Sequence, residues 1–281
     1  MLFKATAEQT AFLLKRKGAV CVFYVLLVMV IANFIGNVLN FQGRDAVEMY
    51  HPMRLLLLSY DRTNFNASNT LLLIQLYPLL VVCPAGFSLA REYQFGTRVF
   101  LVSRIGNVTY QISRFLAAFL TTMIIFSVPF LLEILLNCLA FPLSAMGNLA
   151  NWSIYSSAYL DGVSHYLMKD IYYLSPYLYA VIGTLFFGAV SGLLGAFTVA
   201  VSSLVKVRYN ILLFLPVFVA LNLTTILAGP YGKVPSIRWH DYILIFNDET
   251  KNMVFGIISL LAIILFSIGA AYVSARKDCL Q

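Results

Sequence analysis

The chain has 281 residues, 60% of them hydrophobic and only 11% charged, whereas soluble domains hold about 45–50% apolar and about 25% charged residues. That balance excludes a soluble globular fold. The formal net charge of +7 would suggest nucleic acid or anionic partners in a soluble protein, but in a membrane protein the placement of the charges matters more than their sum.

Reading from the N-terminus, the basic cluster Lys15, Arg16 and Lys17 precedes a stretch without a charge that runs to about Val38. A signal-peptide core is shorter, about 7–15 residues, and ends in a small-residue cleavage site that is missing here, so this segment reads as a retained helix. Crossing about 30 Å of hydrocarbon takes about 20 apolar residues. Six segments meet that demand, over about 18–38, 68–90, 115–138, 176–203, 210–228 and 253–274. Pro78, Pro84, Pro129 and Pro216 fall inside these spans, where neighbouring helices can satisfy freed carbonyls, so kinks rather than ends are expected at them. The expected fold is an all-α integral membrane domain of six transmembrane helices covering the whole chain.

Orientation follows from the side of the membrane on which Lys and Arg accumulate. Lys4, Lys15, Arg16, Lys17, Arg91, Arg98, Arg104, Arg114, Lys206, Arg208, Arg276 and Lys277 share one side. The other side holds Arg44, Arg54, Arg62, Lys169, Lys233, Arg238 and Lys251, together with most of the acidic residues. The first side is therefore expected to be cytoplasmic, with both termini on it. Trp152, Trp239 and the cluster Tyr172, Tyr173, Tyr177 and Tyr179 fall on the outer side near span ends, as an aromatic belt requires; an aromatic substrate cage is the alternative. The second outer loop shows too weak a period to assign helices to it.

Catalytic signatures are missing. Cys21, Cys83 and Cys138 lie in apolar stretches and Cys279 near the end, at no spacing that suggests zinc or disulfides. His51, His165 and His240 stand on separate loops, with no His-Glu-x-x-His string. The run Gly229 to Val234 lacks the spacing and hydroxyl of a nucleotide loop, and Gly86-Phe87-Ser88 sits in a span rather than at a strand-to-helix turn. Glu133 is the one carboxylate inside a span. An acid in hydrocarbon marks a substrate or proton path by default, and the competing reading is an interfacial group reaching water or a partner. Gly188 and Gly192 have the GxxxG spacing that permits close helix approach, within the chain or across a dimer.

Between the second and third spans lies Arg91-Glu92-Tyr93-Gln94-Phe95-Gly96-Thr97-Arg98-Val99-Phe100-Leu101-Val102-Ser103-Arg104. An acid four residues before Gly-Thr, then an apolar run ending in Ser, resembles the cytoplasmic loop of type-2 ABC transporter permeases, in which Pro often stands where this chain has Arg104. The resemblance implies that the loop, about 91–114, is a coupling helix on which Glu92, Phe95, Gly96, Thr97, Val99, Phe100 and Arg104 dock a separate ATP-binding subunit. A mere membrane-surface helix is the bland alternative. It further implies two copies of that subunit carrying ATP and Mg, a second permease that is identical or homologous, and a bacterial inner or cytoplasmic membrane. No cofactor is expected on this chain. Residues 2–14 then form an amphipathic elbow helix on the inner leaflet, with Phe3, Phe12, Leu13 and Leu14 buried and the basic cluster on anionic headgroups.

Permeases of this kind often run the substrate path along the second and fifth spans, which brings in Gln75, Tyr77, Asn222, Thr224 and Thr225 besides Glu133; these polar groups could equally serve interhelical hydrogen bonds. The expected function is thus the membrane subunit of an ATP-driven exporter, without catalytic residues of its own. Two alternatives stand: a proton-driven carrier using Glu133, and a polytopic enzyme acting on lipids, which needs a His, Asp or Glu cluster at one membrane depth.

Overall fold

The computed structural model describes residues 2–43, 51–60, 67–86, 102–103, 106–142, 163–204, 210–227, 236–247 and 249–277. In chain order the described helices are α1 Leu2–Leu14, α2 Lys17–Phe41, α3 Ala67–Val82, α4 Asn107–Ala140, α5 Lys169–Leu174, α6 Pro176–Leu204, α7 Phe214–Leu227, α8 Trp239–Ile243 and α9 Met253–Lys277. Four of them, α2, α4, α6 and α9, are long and apolar enough to cross a membrane, and α3 and α7 are shorter apolar helices. Among the described residues β pairing is limited to the isolated parallel bridges Tyr60–Asn247 and Ser236–Lys251.

The helices form where apolar residues run on without a break, because in hydrocarbon every backbone N–H and C=O must find its partner inside the segment. Gly106, at φ 78°, supplies the left-handed turn from which α4 starts at Asn107. That start is well before the expected 115, so the last residues assigned to the coupling loop are the first turns of α4. Two proline expectations are corrected. Helix α3 stops at Val82 and gives way to a turn over 83–86, so Pro84 lies past a helix end, as its clash with the preceding turn favours. Pro216 sits in the first turn of α7, after the 3-10 turn Asn210–Leu213, where a missing N–H costs nothing. Pro78 and Pro129 are inside helices, as expected.

Helices α4 and α6 form the central pair, with α1 and α2 against α4 and α9 against α6. Small residues set their separation. A Cβ on Gly192 would lie 2.7 Å from the Phe119 carbonyl oxygen, one on Gly195 would lie 2.5 Å from Thr122 Oγ1, and one on Gly188 would collide with Ser127 Oγ. The GxxxG pair therefore serves packing within the chain. Helix α9 is peripheral, with little of its apolar length buried. Helix α1 turns Thr6, Thr10 and Leu13 inward and leaves Phe3 and Phe12 exposed, so Leu13 belongs to the protein core rather than to the lipid face expected of it.

At one end of the bundle, segments 51–60, 163–175 and, apart from 248, 236–252 interlock into a cap. Ile245 N–H donates to Leu58 O (3.0 Å) and Tyr60 N–H to Phe246 O (3.3 Å). Lys251 Nζ donates to the carbonyls of Asn247 (2.9 Å) and His165 (3.2 Å). Helix α3 begins at this cap, where Thr70 Oγ1 donates to Leu57 O (3.1 Å). Its other end adjoins Gly18 and Thr198, since a Cβ on Gly18 would meet Cys83 O at 3.0 Å and one on Gly86 would meet Thr198 Cγ2 at 2.8 Å.

Candidate functional site

Two features of the bundle concern the candidate residues: a buried polar clamp around Glu133 and an apolar cavity beside Tyr77.

Asn33 and Asn37 lie one turn apart on α2, and Glu133 and Asn137 one turn apart on α4, so each pair shares a helix face. Both pairs point at the same loop. Pro52 to Ser59 are all buried, yet only Pro52–Leu55 is a 3-10 turn, so this backbone brings polar groups inside that no regular element satisfies. The clamp supplies them. Glu133 Oε1 accepts from Leu57 N–H (2.8 Å) and from Asn33 Nδ2 (2.7 Å). Asn33 Nδ2 and Asn37 Nδ2 donate to Leu55 O at 2.9 and 2.7 Å, and Asn137 Nδ2 reaches Pro52 O at 3.5 Å. Glu133 is wholly buried, and its Oε2 finds no hydrogen-bond partner among the described residues. Of water or a partner, the two ends expected for an interfacial group, it meets partners, Asn33 and Leu57, and it does not line the cavity described below. Its visible task is to hold the first cap segment.

The cap is aromatic inside. Tyr166 stacks on Tyr179 with ring centroids 5.7 Å apart, Tyr172 meets both rings edge-on, and Phe246 touches all three. Tyr179 OH donates to Ile245 O (2.6 Å). Tyr172 and Tyr179 are therefore core residues rather than members of a belt, whereas Tyr173 is exposed. In the third cap segment, Asp241 accepts from Ser236 Oγ and from Asn247 Nδ2 (2.9 Å). Burial pushes the neighbouring His240 imidazole below its usual pKa, Asp241 opposing that shift and Arg238 adding to it.

The cavity, about 460 Å³, lies between α3, α6, α7, α8 and α9. Its wall is almost wholly apolar, with Val190, Leu194, Val217, Leu221, Leu260 and Ile263 among its residues, and Tyr77 and Thr224 line it too. Tyr77 is pinned: its hydroxyl shares a hydrogen bond with Ser191 Oγ (2.9 Å), and its ring stacks on Trp239 at 5.0 Å and contacts Phe126 and Phe187. Trp239 is thus half-buried on Tyr77 rather than set in a lipid-facing belt.

Of the expected path residues, Tyr77 and Thr224 meet at one cavity. Gln75 is exposed, and Asn222, Thr224 and Thr225 donate to carbonyls of their own helix, those of Phe218 and Leu221. These are intrahelical bonds, not the interhelical ones considered above. The coupling residues Glu92, Phe95, Gly96, Thr97, Val99, Phe100 and Arg104 lie outside the described residues, as do Trp152 and Cys279. Cys21, Cys83 and Cys138 are free thiols. Among the described residues no three His, Cys, Asp or Glu are grouped to hold a metal ion. No family model, no curated protein and no solved structure matches this chain.

Proposed function

We propose that the chain is the membrane-spanning permease subunit of an ATP-driven ABC exporter of the type-2 kind. It provides the cargo path, and a separate ATP-binding subunit, present in two copies, hydrolyses ATP with Mg and moves it through the 91–104 stretch. A second permease, identical or homologous, completes the assembly in the cell membrane, a bacterial inner or cytoplasmic one. In this reading α3 and α7 also cross, which makes six spans. The termini are cytoplasmic and the cap is external. Helix α1 lies on the inner leaflet with Phe3 and Phe12 in lipid and Lys15, Arg16 and Lys17 on the headgroups.

The observation that carries the reading is that Tyr77 of α3 and Thr224 of α7 line one cavity, since α3 and α7 are the second and fifth apolar segments, along which permeases of this kind run their path. The test is purification of the full chain from its own cell membrane. An ATPase is expected to co-purify, and Gly96→Asp or Phe100→Asp to uncouple ATP hydrolysis while the chain still inserts. Cargo movement by the purified chain with no nucleotide-binding subunit present refutes the proposal.

A proton-driven carrier is the competing reading, and the Oε2 of Glu133, without a hydrogen-bond partner among the described residues, is the observation in its favour. Transport that survives ATP depletion but is abolished in Glu133→Gln decides for it.

A further inference from the structure

The cavity has a shape and a polarity that specify its occupant. Its lining positions on α6 run from Phe186 to Phe197, about 16 Å along the axis at about 1.5 Å per residue. On α9 they run from Met253 to Ile263, so the space is a slot parallel to the helices. Its volume of about 460 Å³ lies within the about 300–1,000 Å³ of small-molecule sites. At the cap end α8 contributes Trp239 and Tyr242, and the hydroxyl of Ser259 lies about 9 Å further along α9 from Met253. Tyr242 OH is already committed to the carbonyls of Ser236 (2.7 Å) and Asn252 (2.8 Å). Trp239 lines the slot, and its indole N–H makes no hydrogen bond with any described residue. One wall, α9, is the least buried of the membrane-length helices, so the slot is bounded on that side by a helix that itself faces lipid.

We infer that this slot binds a single-chain amphiphile, with its apolar chain along α6, α7 and α9 and a hydrogen-bond-accepting head at Trp239. A chain-shaped apolar slot with one donor at its cap end selects against compact polar solutes, because their desolvated groups would find no partners there. A two-chain lipid exceeds a volume of about 460 Å³. That this occupant is the exported cargo rests on the permease reading; its binding does not.

The experiment uses the full chain in phospholipid nanodiscs with Trp152→Phe, so that Trp239 is the sole tryptophan, and brominated palmitate as the quencher. Quenching of Trp239 is expected to saturate, to be reversed by unbrominated palmitate, and to be stronger with bromine near the carboxylate than near the methyl end. Ala220→Phe or Ser259→Phe, which fill the slot, should raise the half-saturating concentration at least about tenfold, equivalent to about 1.4 kcal/mol. If neither variant folds, competition and bromine position still decide. Quenching that rises linearly with palmitate and resists competition overturns the inference, as does saturable quenching by a brominated two-chain phospholipid in place of palmitate. Saturation in a chain that co-purifies with no ATPase upholds the slot and sinks only the exporter reading, whereas linear quenching with an ATPase bound sinks the slot alone.

Discussion

Asn33 on α2 and Glu133 on α4, separated by 100 residues of chain, meet at 2.7 Å, and on the same carboxylate oxygen the backbone of Leu57 also ends at 2.8 Å. One buried acid therefore fastens two helices and a loop. Its replacement separates a structural role from a titrating one. Glu133→Ala leaves the Leu57 N–H without its acceptor, at about 1–3 kcal/mol for a buried orphan, and takes one acceptor from Asn33 Nδ2, which keeps Leu55 O. Glu133→Gln keeps a carbonyl oxygen in place of Oε1. The expected order of thermal unfolding midpoints in detergent is wild type, then Gln slightly lower, then Ala clearly lowest; equal midpoints for Gln and Ala would show that the clamp carries no stability.

Close packing of α4 on α6 yields a second prediction with an internal control. A side chain at Gly192 meets the Phe119 carbonyl, a backbone atom that cannot rotate away, whereas a Cβ at Gly269 on α9 meets nothing within 4 Å. Gly192→Val should cost about 1–3 kcal/mol or more through overpacking. Gly269→Ala should be neutral or slightly stabilising, because alanine is the better helix former. Denaturation in mixed micelles measures both.

These two sites also show how far the sequence could be read. Helices α2, α4, α6 and α9 were legible because each is a long apolar run, and so was Gly188-x-x-x-Gly192 as a close-approach motif. The burial of Pro52 to Ser59 was not, since that stretch carries neither a period of 2 nor one of 3.6 and its apolar run, Leu55 to Leu58, is far too short to cross a membrane. A signal for it did exist. Asn33 with Asn37 and Glu133 with Asn137 are polar pairs spaced one turn apart in apolar helices, which in hydrocarbon need a common polar partner. The cavity was beyond reach, because it is defined by where side chains of five helices fail to meet. Its members Tyr77 and Thr224 were found only through the positions of the second and fifth apolar segments.

His51 gives the pH dependence. Its Nδ1 accepts from Met53 N–H (3.2 Å) and its ring packs edge-on against Tyr177, so the neutral imidazole is the form the loop uses. Burial, helped by the positive charge of Arg54, lowers its pKa from 6.5 to about 4. Because the folded state resists the proton that the unfolded chain takes up, the contribution is complete above pH 6.5 and is lost as the pH falls towards about 4. Unfolding midpoints recorded between those limits should fall with pH, and His51→Gln should flatten that part of the profile.

At the cavity wall, Tyr77→Phe removes one hydroxyl while Ser191 Oγ keeps its bond to Phe187 O (2.8 Å). The expected cost is therefore about 0.5–1.5 kcal/mol, that of one hydrogen bond. Tyr77→Ala also removes the ring that stacks on Trp239 and enlarges the cavity, at about 3–5 kcal/mol. In a Trp152→Phe background the emission of Trp239 should shift to the red in the Ala variant and stay in place in the Phe variant.

The last prediction concerns the two short helices. Helix α3 has 16 residues, about 24 Å at about 1.5 Å each, less than the about 30 Å of a hydrocarbon core. The 14 residues of α7, with the four of the preceding 3-10 turn at about 2.0 Å each, reach about 29 Å. A short span is accommodated by local thinning of the bilayer or by snorkelling of its flanking residues, and α3 already touches the cap at Thr70 and the opposite end at Cys83 and Gly86. If both helices cross, the loops before α3, before α6 and before α9 share one side. In a chain whose four cysteines are replaced by serine, a membrane-impermeant maleimide on intact cells should label Lys169→Cys and Glu249→Cys. It should reach Lys4→Cys only after permeabilisation. Labelling of Glu249→Cys and Lys4→Cys from the same side would mean that α3 or α7 turns back within the bilayer, and the six-span arrangement would have to be replaced by one with re-entrant helices.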